Sequence, residues 1–569
     1  MKHSLLALAA LVLATSASCG APAKVVEAAE LVVNGNSREL RKRPKGSAPS
    51  SPGRPGILLL ALDGVDRDLL YRLLNRGEMP GLKNLLGGGH NGFAHAHFED
   101  AFLSTLPSST MAAWVTAMTG VGPGTHGVTG NEFFIRRELR LGAPAPVTFD
   151  DAHPTLSIYT DQYLDGLNAS KTVYERLRER DPDMLAWVAL HPVHQGADRL
   201  LVTKPTIITK AFTHVVEKAV KLAEPTDKSA RDAYEILDKN AFDLVVSELE
   251  KGTLPDILTV YLAGTDLYAH IAKEGPDEAR IAYLKDVVDP GMARLHGALL
   301  HRDALDDRYV VLTSDHGHTE VVEDDAHALQ TEGPNYPPVV FGKLGFRLRP
   351  FKVDVSGRDY DAVLCYGGAM AYVYLADRSK CAPRKGEREC NWNEPPRWSE
   401  DVIPVADAFY KNNIDGSLAS GMKGTLDMVL TRRPARPGTT PASFEVYVGE
   451  GKTVPIETYL AETPHPTYVA VARRLRDLAV GPHGDRAGDV VLIAHNGDRE
   501  SPDDRYYFAS RYRSWHGSPS RRDSSIPLIV AHAKRSPSEL KARTKRILGG
   551  EPYQQKLTDL LLDLRLAPR

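Results

Sequence analysis

ILLLALDG, residues 57–64, is a run of six apolar residues that stops at Asp63 and Gly64. A run this short, bounded by turn residues, reads as a strand buried on both faces, the kind found inside parallel sheets. The same reading applies to DILTVYLAGTD (256–266), YVVLTSDHGH (309–318), DVVLIAHNGD (489–498) and SSIPLIVAH (524–532). Between these runs, RDLLYRLLNRG, KTVYERLRERD and EARIAYLKDVV carry apolar residues at helical spacing. Strands alternating with amphipathic helices predict an α/β domain with a mostly parallel central sheet flanked by helices. Asp63 and Asp315 directly follow their strands, and Asp266 follows its own after Gly264 and Thr265. Open α/β sheets bind ligands beyond the C-terminal ends of their strands, so three acids delivered there by distant segments point to one site.

Outward from that core, residues 56–330 read as its first part, 489–569 as its second, and 331–488 as an inserted cap-like region over the site. The insertion holds Cys381 and Cys390, a natural pair if the chain is exported to an oxidising compartment. Cys365, in the apolar stretch AVLCYGGAMAYVYLAD, reads as a buried free thiol. Residues 20–55, rich in Ala, Ser, Pro, Lys and Arg without a period, read as a flexible linker. Lys2 and His3 ahead of the apolar run Leu5–Ala14 predict a signal peptide over residues 1–19. Cys19 followed by Gly20 resembles a bacterial lipoprotein processing site, with Ser16 where that signal usually has Leu; plain cleavage near Ala17 or Ala23 is the other reading. Both imply export, to the periplasm, to the outer membrane through a lipid anchor, or out of the cell. The 569 residues leave ample room for a large core plus an insertion. With 25% charged residues and a net charge of -3, the chain lacks the basic excess of nucleic-acid binders, and no nucleic-acid partner is expected.

The chemistry lies in pairs of acid and imidazole. SDHGH, 314–318, sets Asp315 beside His316 immediately after a strand. Asp266 and His270, in TDLYAH, stand four apart and share one face of a helical turn. One such pair is more often a turn cap and a surface histidine; two pairs after two strands favour metal. Asp63 and His516, in SWHGSPS, complete a set of mixed nitrogen and oxygen ligands sufficient for two adjacent divalent ions, zinc first, with manganese or iron at the same geometry.

The segment STLPSSTMAAWVTAMTGVGPGTHGVTGNEFF, 104–134, resembles the nucleophile segment of the type I phosphodiesterase and nucleotide pyrophosphatase family of the alkaline phosphatase superfamily. LDG, the threonine segment with THGVTGN, Asp-x-x-x-His, SDHG and a late His-Gly follow one another in that superfamily's order. The resemblance implies an alkaline-phosphatase-like fold and Thr110 as the nucleophile, at a helix N-terminus where backbone N–H groups favour an anion. Read from the residues alone, Ser108, Ser109 and Thr110 also suit a helix cap. By the resemblance, Asp63, Asp315 and His316 hold one ion with Thr110, and Asp266, His270 and His516 hold the other. Asn131 and the Met111 N–H would donate to a phosphate oxygen, and His126 would be structural support. His318 departs from the residue expected after SDHG. Phosphomonoesterases that use threonine carry a Lys-x-Arg pair, absent from AWVALHPVHQGADR (186–199), which tilts the reading from monoesters to small-molecule phosphodiesters or pyrophosphates. A sulfatase would need Cys or Ser before Pro and Arg, and a phosphoglycerate mutase would use serine in the cytoplasm. A non-catalytic envelope binding protein remains the rival from another class.

Overall fold

The structure is a computed structural model that describes residues 38–41, 53–89, 92–149, 153–202, 227–384, 387–435, 441–497 and 499–566. The signal peptide, Cys19 and most of the linker lie outside the described residues.

In chain order the strands of the two large sheets are β1 (Arg38–Glu39), β2 (Gly56–Leu62), β3 (Ala96–Phe98), β4 (Ala186–Ala189), β5 (Arg199–Leu201), β6 (Ile257–Leu262), β7 (Arg308–Ser314), β8 (Ala362–Tyr366), β9 (Met370–Leu375), β10 (Leu426–Arg433), β11 (Ser443–Gly449), β12 (Lys452–Pro455), β13 (Val490–Ala494) and β14 (Leu528–Ala531). The helices that matter to the site are α1 (Arg67–Asn75), α2 (Thr110–Thr119), α3 (His153–Thr160), α4 (Asp227–Glu250), α5 (Gly264–Ala269) and α6 (Val471–Ala479).

The central sheet has eight strands in the order β1-β5-β4-β6-β2-β7-β14-β3. Its middle, β5-β4-β6-β2-β7, is parallel, and β1, β14 and β3 add antiparallel edges. Every residue from Ile57 to Leu62 is at most 1% exposed, which is why that run shows no alternation in the sequence. Helix α1 starts where Asp66 accepts from the Leu69 N–H at 2.8 Å, and it buries Leu69, Leu70, Leu73 and Leu74 against the sheet. The segment KTVYERLRERD forms a helix over Val173–Arg178, opened by a capping box between Thr172 and Glu175.

The register of the sheet sets the site. Leu62 lies beside Leu262 on one side and Ser314 on the other. Asp63 and Asp315 therefore leave the sheet side by side, and Asp266 follows within the first turn of α5.

A second sheet, β8-β9-β13-β10-β11-β12, has antiparallel neighbours throughout. Its middle strand corrects the boundary expected at residue 489. Val490–Ala494, expected to open the second part of the core, lies instead between β9 and β10, with Ile493 opposite Met370 and Val491 opposite Leu430. VVLIA is buried on both faces in either setting, so its composition does not say which sheet it joins. The central sheet takes up Leu528–Ala531 from SSIPLIVAH, antiparallel to β7. Cys381 and Cys390 are joined as a disulfide, and Cys365 is buried and free.

Candidate active site

Helix α2 begins at Thr110, and no side chain caps it. Ser109 stands at the cap position with extended backbone, its hydroxyl buried and unpartnered, while the Ser108 hydroxyl turns back to the Thr105 carbonyl at 3.1 Å. The capping reading of Ser108, Ser109 and Thr110 is therefore set aside. Thr110 Oγ1 lies 3.2 Å from His316 Nε2.

On the β2 and β7 side, His316 Nε2 is 3.3 Å from Asp315 Oδ2 and 3.5 Å from Asp63 Oδ1. Asp315 Oδ1 accepts from the Gly64 and His316 N–H groups at 3.1 and 2.9 Å. Asp63 Oδ2 accepts from the Tyr261 hydroxyl. The remaining oxygens, Asp63 Oδ1 and Asp315 Oδ2, are buried without a hydrogen-bond partner. Two such carboxylate oxygens beside one imidazole nitrogen are what a divalent cation takes as ligands, and they are costly to bury otherwise. Burial, then the nearby Asp315 and Asp266 carboxylates, pushes Asp63 well above the usual range, and burial raises Asp315 too.

On the α5 side, Asp266 Oδ2 is 3.4 Å from His270 Nε2, and Asp266 Oδ1 is 3.8 Å from His516 Nε2. His270 Nδ1 donates to the Ser514 carbonyl at 2.7 Å, and His516 Nδ1 donates to the Ser108 carbonyl at 3.1 Å. A carbonyl only accepts, so each Nδ1 is the donor there, and each Nε2 is turned toward Asp266. The rings of His316 and His516 stack with centroids 3.6 Å apart, which brings the two groups together. Asp63, Asp315 and His316 form one group whose ligand atoms lie within 4.8 Å of one another, and Asp266, His270 and His516 form another.

His318, left open by the sequence, is buried behind Asp266. Its Nε2 is 2.6 Å from Asp266 Oδ1 and its Nδ1 is 3.1 Å from Ser514 Oγ. Burial pushes the ring's pKa down to about 3, against the pull of the adjacent Asp266 carboxylate. Burial alone would raise Asp266, but the contacts with His270 and His318 overcome it and keep the carboxyl well below its ordinary value. Gly64 makes room for this packing. Its φ is +68°, and a Cβ there would meet His318 Nε2 at 2.7 Å.

Asn131 and Met111 are bonded to each other, the Met111 N–H donating to Asn131 Oδ1 at 3.0 Å. The Met111 N–H, expected to face a phosphate, is thus already engaged. His126 lies away from the two acid and histidine groups: its Nδ1 accepts from the Val128 N–H and its Nε2 lies 2.9 Å from Thr116 Oγ1, a structural setting as expected.

Thr110, Asn131, Asp63, Asp266, His270 and His516 open on a cavity of about 140 Å³. Its other walls are largely apolar or aromatic, with Val147, Phe149, Tyr159, Leu267, Tyr512 and Trp515. Among the described residues that line it there is no Lys or Arg, and none belongs to 331–488. Sequence reading missed Tyr261 and Ser514, whose only signals were a hydroxyl near a strand end and a serine two residues before His516.

A profile of the type I phosphodiesterase / nucleotide pyrophosphatase family matches residues 57–355. Among solved structures, the chain is similar to murine ectonucleotide pyrophosphatase/phosphodiesterase 5 in an inactive form in complex with AMP, at 12% identity and a TM-score of 0.48, covering 90% of this chain and 97% of that one. A second structure of that murine protein gives 12% identity and a TM-score of 0.45, with 90% and 96% covered. No curated protein matches the chain. The family match takes in Asp63, the threonine segment, Asp266 with His270, and SDHG, and the chain belongs to the type I phosphodiesterase/nucleotide pyrophosphatase family, as a hydrolase of phosphoric esters.

Proposed function

We propose that the chain cleaves phosphodiesters or nucleotide pyrophosphate bonds of small molecules through a covalent phosphothreonine at Thr110, in a site that holds two divalent cations, zinc first. The observation that carries the reading is the place of Thr110 Oγ1, at the start of α2 and 3.2 Å from His316 Nε2, where the two acid and histidine groups meet. Asp63, Asp315 and His316 would hold one ion together with Thr110, and Asp266, His270 and His516 the other. The unpartnered oxygens of Asp63 and Asp315 support that fit. Such ions supply Lewis acidity, favouring the ionised threonine hydroxyl and offsetting charge on the departing oxygen.

The Thr110 oxygen attacks phosphorus, forming the Oγ–P bond as the bond to the leaving alcohol or phosphate breaks. Water then cleaves the Oγ–P bond and restores the hydroxyl. The N-terminus of α2 faces the phosphoryl oxygens, and the Asn131 amide NH2 is the donor left for them because its carbonyl oxygen is held by the Met111 N–H. The described lining carries no cation to match the second charge of a monoester, and its aromatic walls suit an organic substituent. The leader sequence and the disulfide support export to an oxidising compartment.

The test is hydrolysis of bis-p-nitrophenyl phosphate and p-nitrophenyl phosphate side by side with zinc, by wild type and Thr110→Ala. The expected result is a diester preference with turnover reduced by roughly four orders of magnitude or more in the variant. Monoester preference, or a variant as active as wild type, would contradict the reading.

A further inference from the structure

The nine residues of α6, VARRLRDLA, place Val471, Leu475 and Leu478 in the apolar core that backs the second sheet. Arg474 falls on the same buried stripe, three residues after Val471 and four before Leu478, where the helical period calls for an apolar side chain. It is 1% exposed, and no carboxylate lies within ion-pair distance of it among the described residues. A guanidinium buried without an ion-pair partner is costly, and this one is compensated mainly by hydrogen bonds, with the Asp523 carboxylate acting at longer range.

Those bonds have a pattern. The Arg474 guanidinium reaches the Thr105 carbonyl and Ser108 Oγ at 3.3 Å each, both in the loop that leads into Thr110. It reaches Ser524 Oγ at 2.8 Å and the Pro519 carbonyl at 2.9 Å, in the segment that follows His516. Its other edge donates to the Val469 carbonyl at 2.7 and 3.1 Å, just ahead of its own helix. Ser108 is the junction. Its hydroxyl accepts from Arg474, its carbonyl accepts from His516 Nδ1, and Thr110 follows two residues later.

We propose that Arg474 is a positioning residue for the reaction, clamping the loop before Thr110 to the segment after His516 so that the nucleophile and that imidazole keep a fixed relation. The inference rests on the roles given above to Thr110 and His516. It assigns to the inserted region a part in catalysis from beneath the site, since none of its described residues lines the cavity. A guanidinium suits the task because its planar fork serves several acceptors at once, whereas a lysine ammonium is a single point donor.

The experiment compares wild type, Arg474→Ala and Arg474→Lys, each checked for folding by circular dichroism and thermal melting. Readouts are kcat and KM on bis-p-nitrophenyl phosphate, zinc bound per chain, and kcat of Arg474→Ala with added guanidinium ion. Losing an outer-shell support of this kind costs about 10- to 100-fold in activity or metal affinity. The expected result is a fall of that size in kcat with KM little changed, weakened binding of one of two zinc ions, partial recovery with guanidinium, and little recovery in the lysine variant. A folded alanine variant with wild-type kcat and zinc content overturns the proposal. So does a loss of activity that follows thermal stability alone, with zinc binding intact and no rescue. Should the arginine variants not fold, Ser108→Ala removes one acceptor and keeps the arginine; weaker zinc binding is then expected, and unchanged binding overturns the proposal. A wild type that binds no zinc and cleaves neither nitrophenyl ester would instead count against the functional reading itself.

Discussion

The two sheets are built from similar material and do different work. Strands β6, β2 and β7 are apolar and buried, and so are β9, β13 and most of β10. The first three are parallel neighbours, so their C-terminal ends lie on one edge and deliver Asp266, Asp63 and Asp315 to one place. The second three are antiparallel, so adjacent strands end on opposite edges and no such gathering occurs. Direction, more than composition, decides which sheet carries chemistry.

The sharpest way to probe that difference is Asp238, on α4. It is fully buried and accepts from the Gly264 and Ala263 N–H groups at 3.0 and 3.2 Å, supporting the turn from β6 into α5. Burial pushes its carboxyl from 3.8 up to about 7. A folded-state value above the unfolded one gives stability that is present below about pH 4 and is lost as pH rises toward 7. That loss is on the order of 4 kcal/mol. Urea unfolding at pH 5 and pH 7.5 should show wild type losing stability relative to Asp238→Asn as pH rises, and equal pH slopes would contradict the assignment.

The second sheet should behave as packing. Leu430, in β10 and opposite Val446 and Val491, is fully buried in its apolar core. Leu430→Ala should cost about 2 to 5 kcal/mol of stability, read by denaturant unfolding, while kcat of the folded fraction stays near wild type. A large fall in kcat with little loss of stability would erase the distinction between the sheets.

The smallest effect concerns His318, which touches Asp266 without lining the cavity. His318→Gln should weaken binding of one metal ion by about 10- to 100-fold, measured by competition with a chelator, with KM little changed. An unchanged metal affinity would remove His318 from the support of the site.

Legibility followed the same division. Five residues of the two acid and histidine groups were named from the sequence because each stands at a strand end or within one helical turn of it, and His516 because it completes the set. Their partners were harder to see. His318 and Ser514 act through pairings across distant segments, and Arg474 was hidden by a helical pattern that reads as ordinary. VVLIA was recognised as a strand but not placed in its sheet, since burial on both faces removes the alternation that would give it an orientation.

Attack by Thr110 at a site shared by the two groups is tested most directly by the stereochemical course at phosphorus with a chiral phosphorothioate diester. Two successive in-line displacements, by Thr110 and then by water, predict retention of configuration; inversion would mean direct attack by water and would rule out a phosphothreonine intermediate.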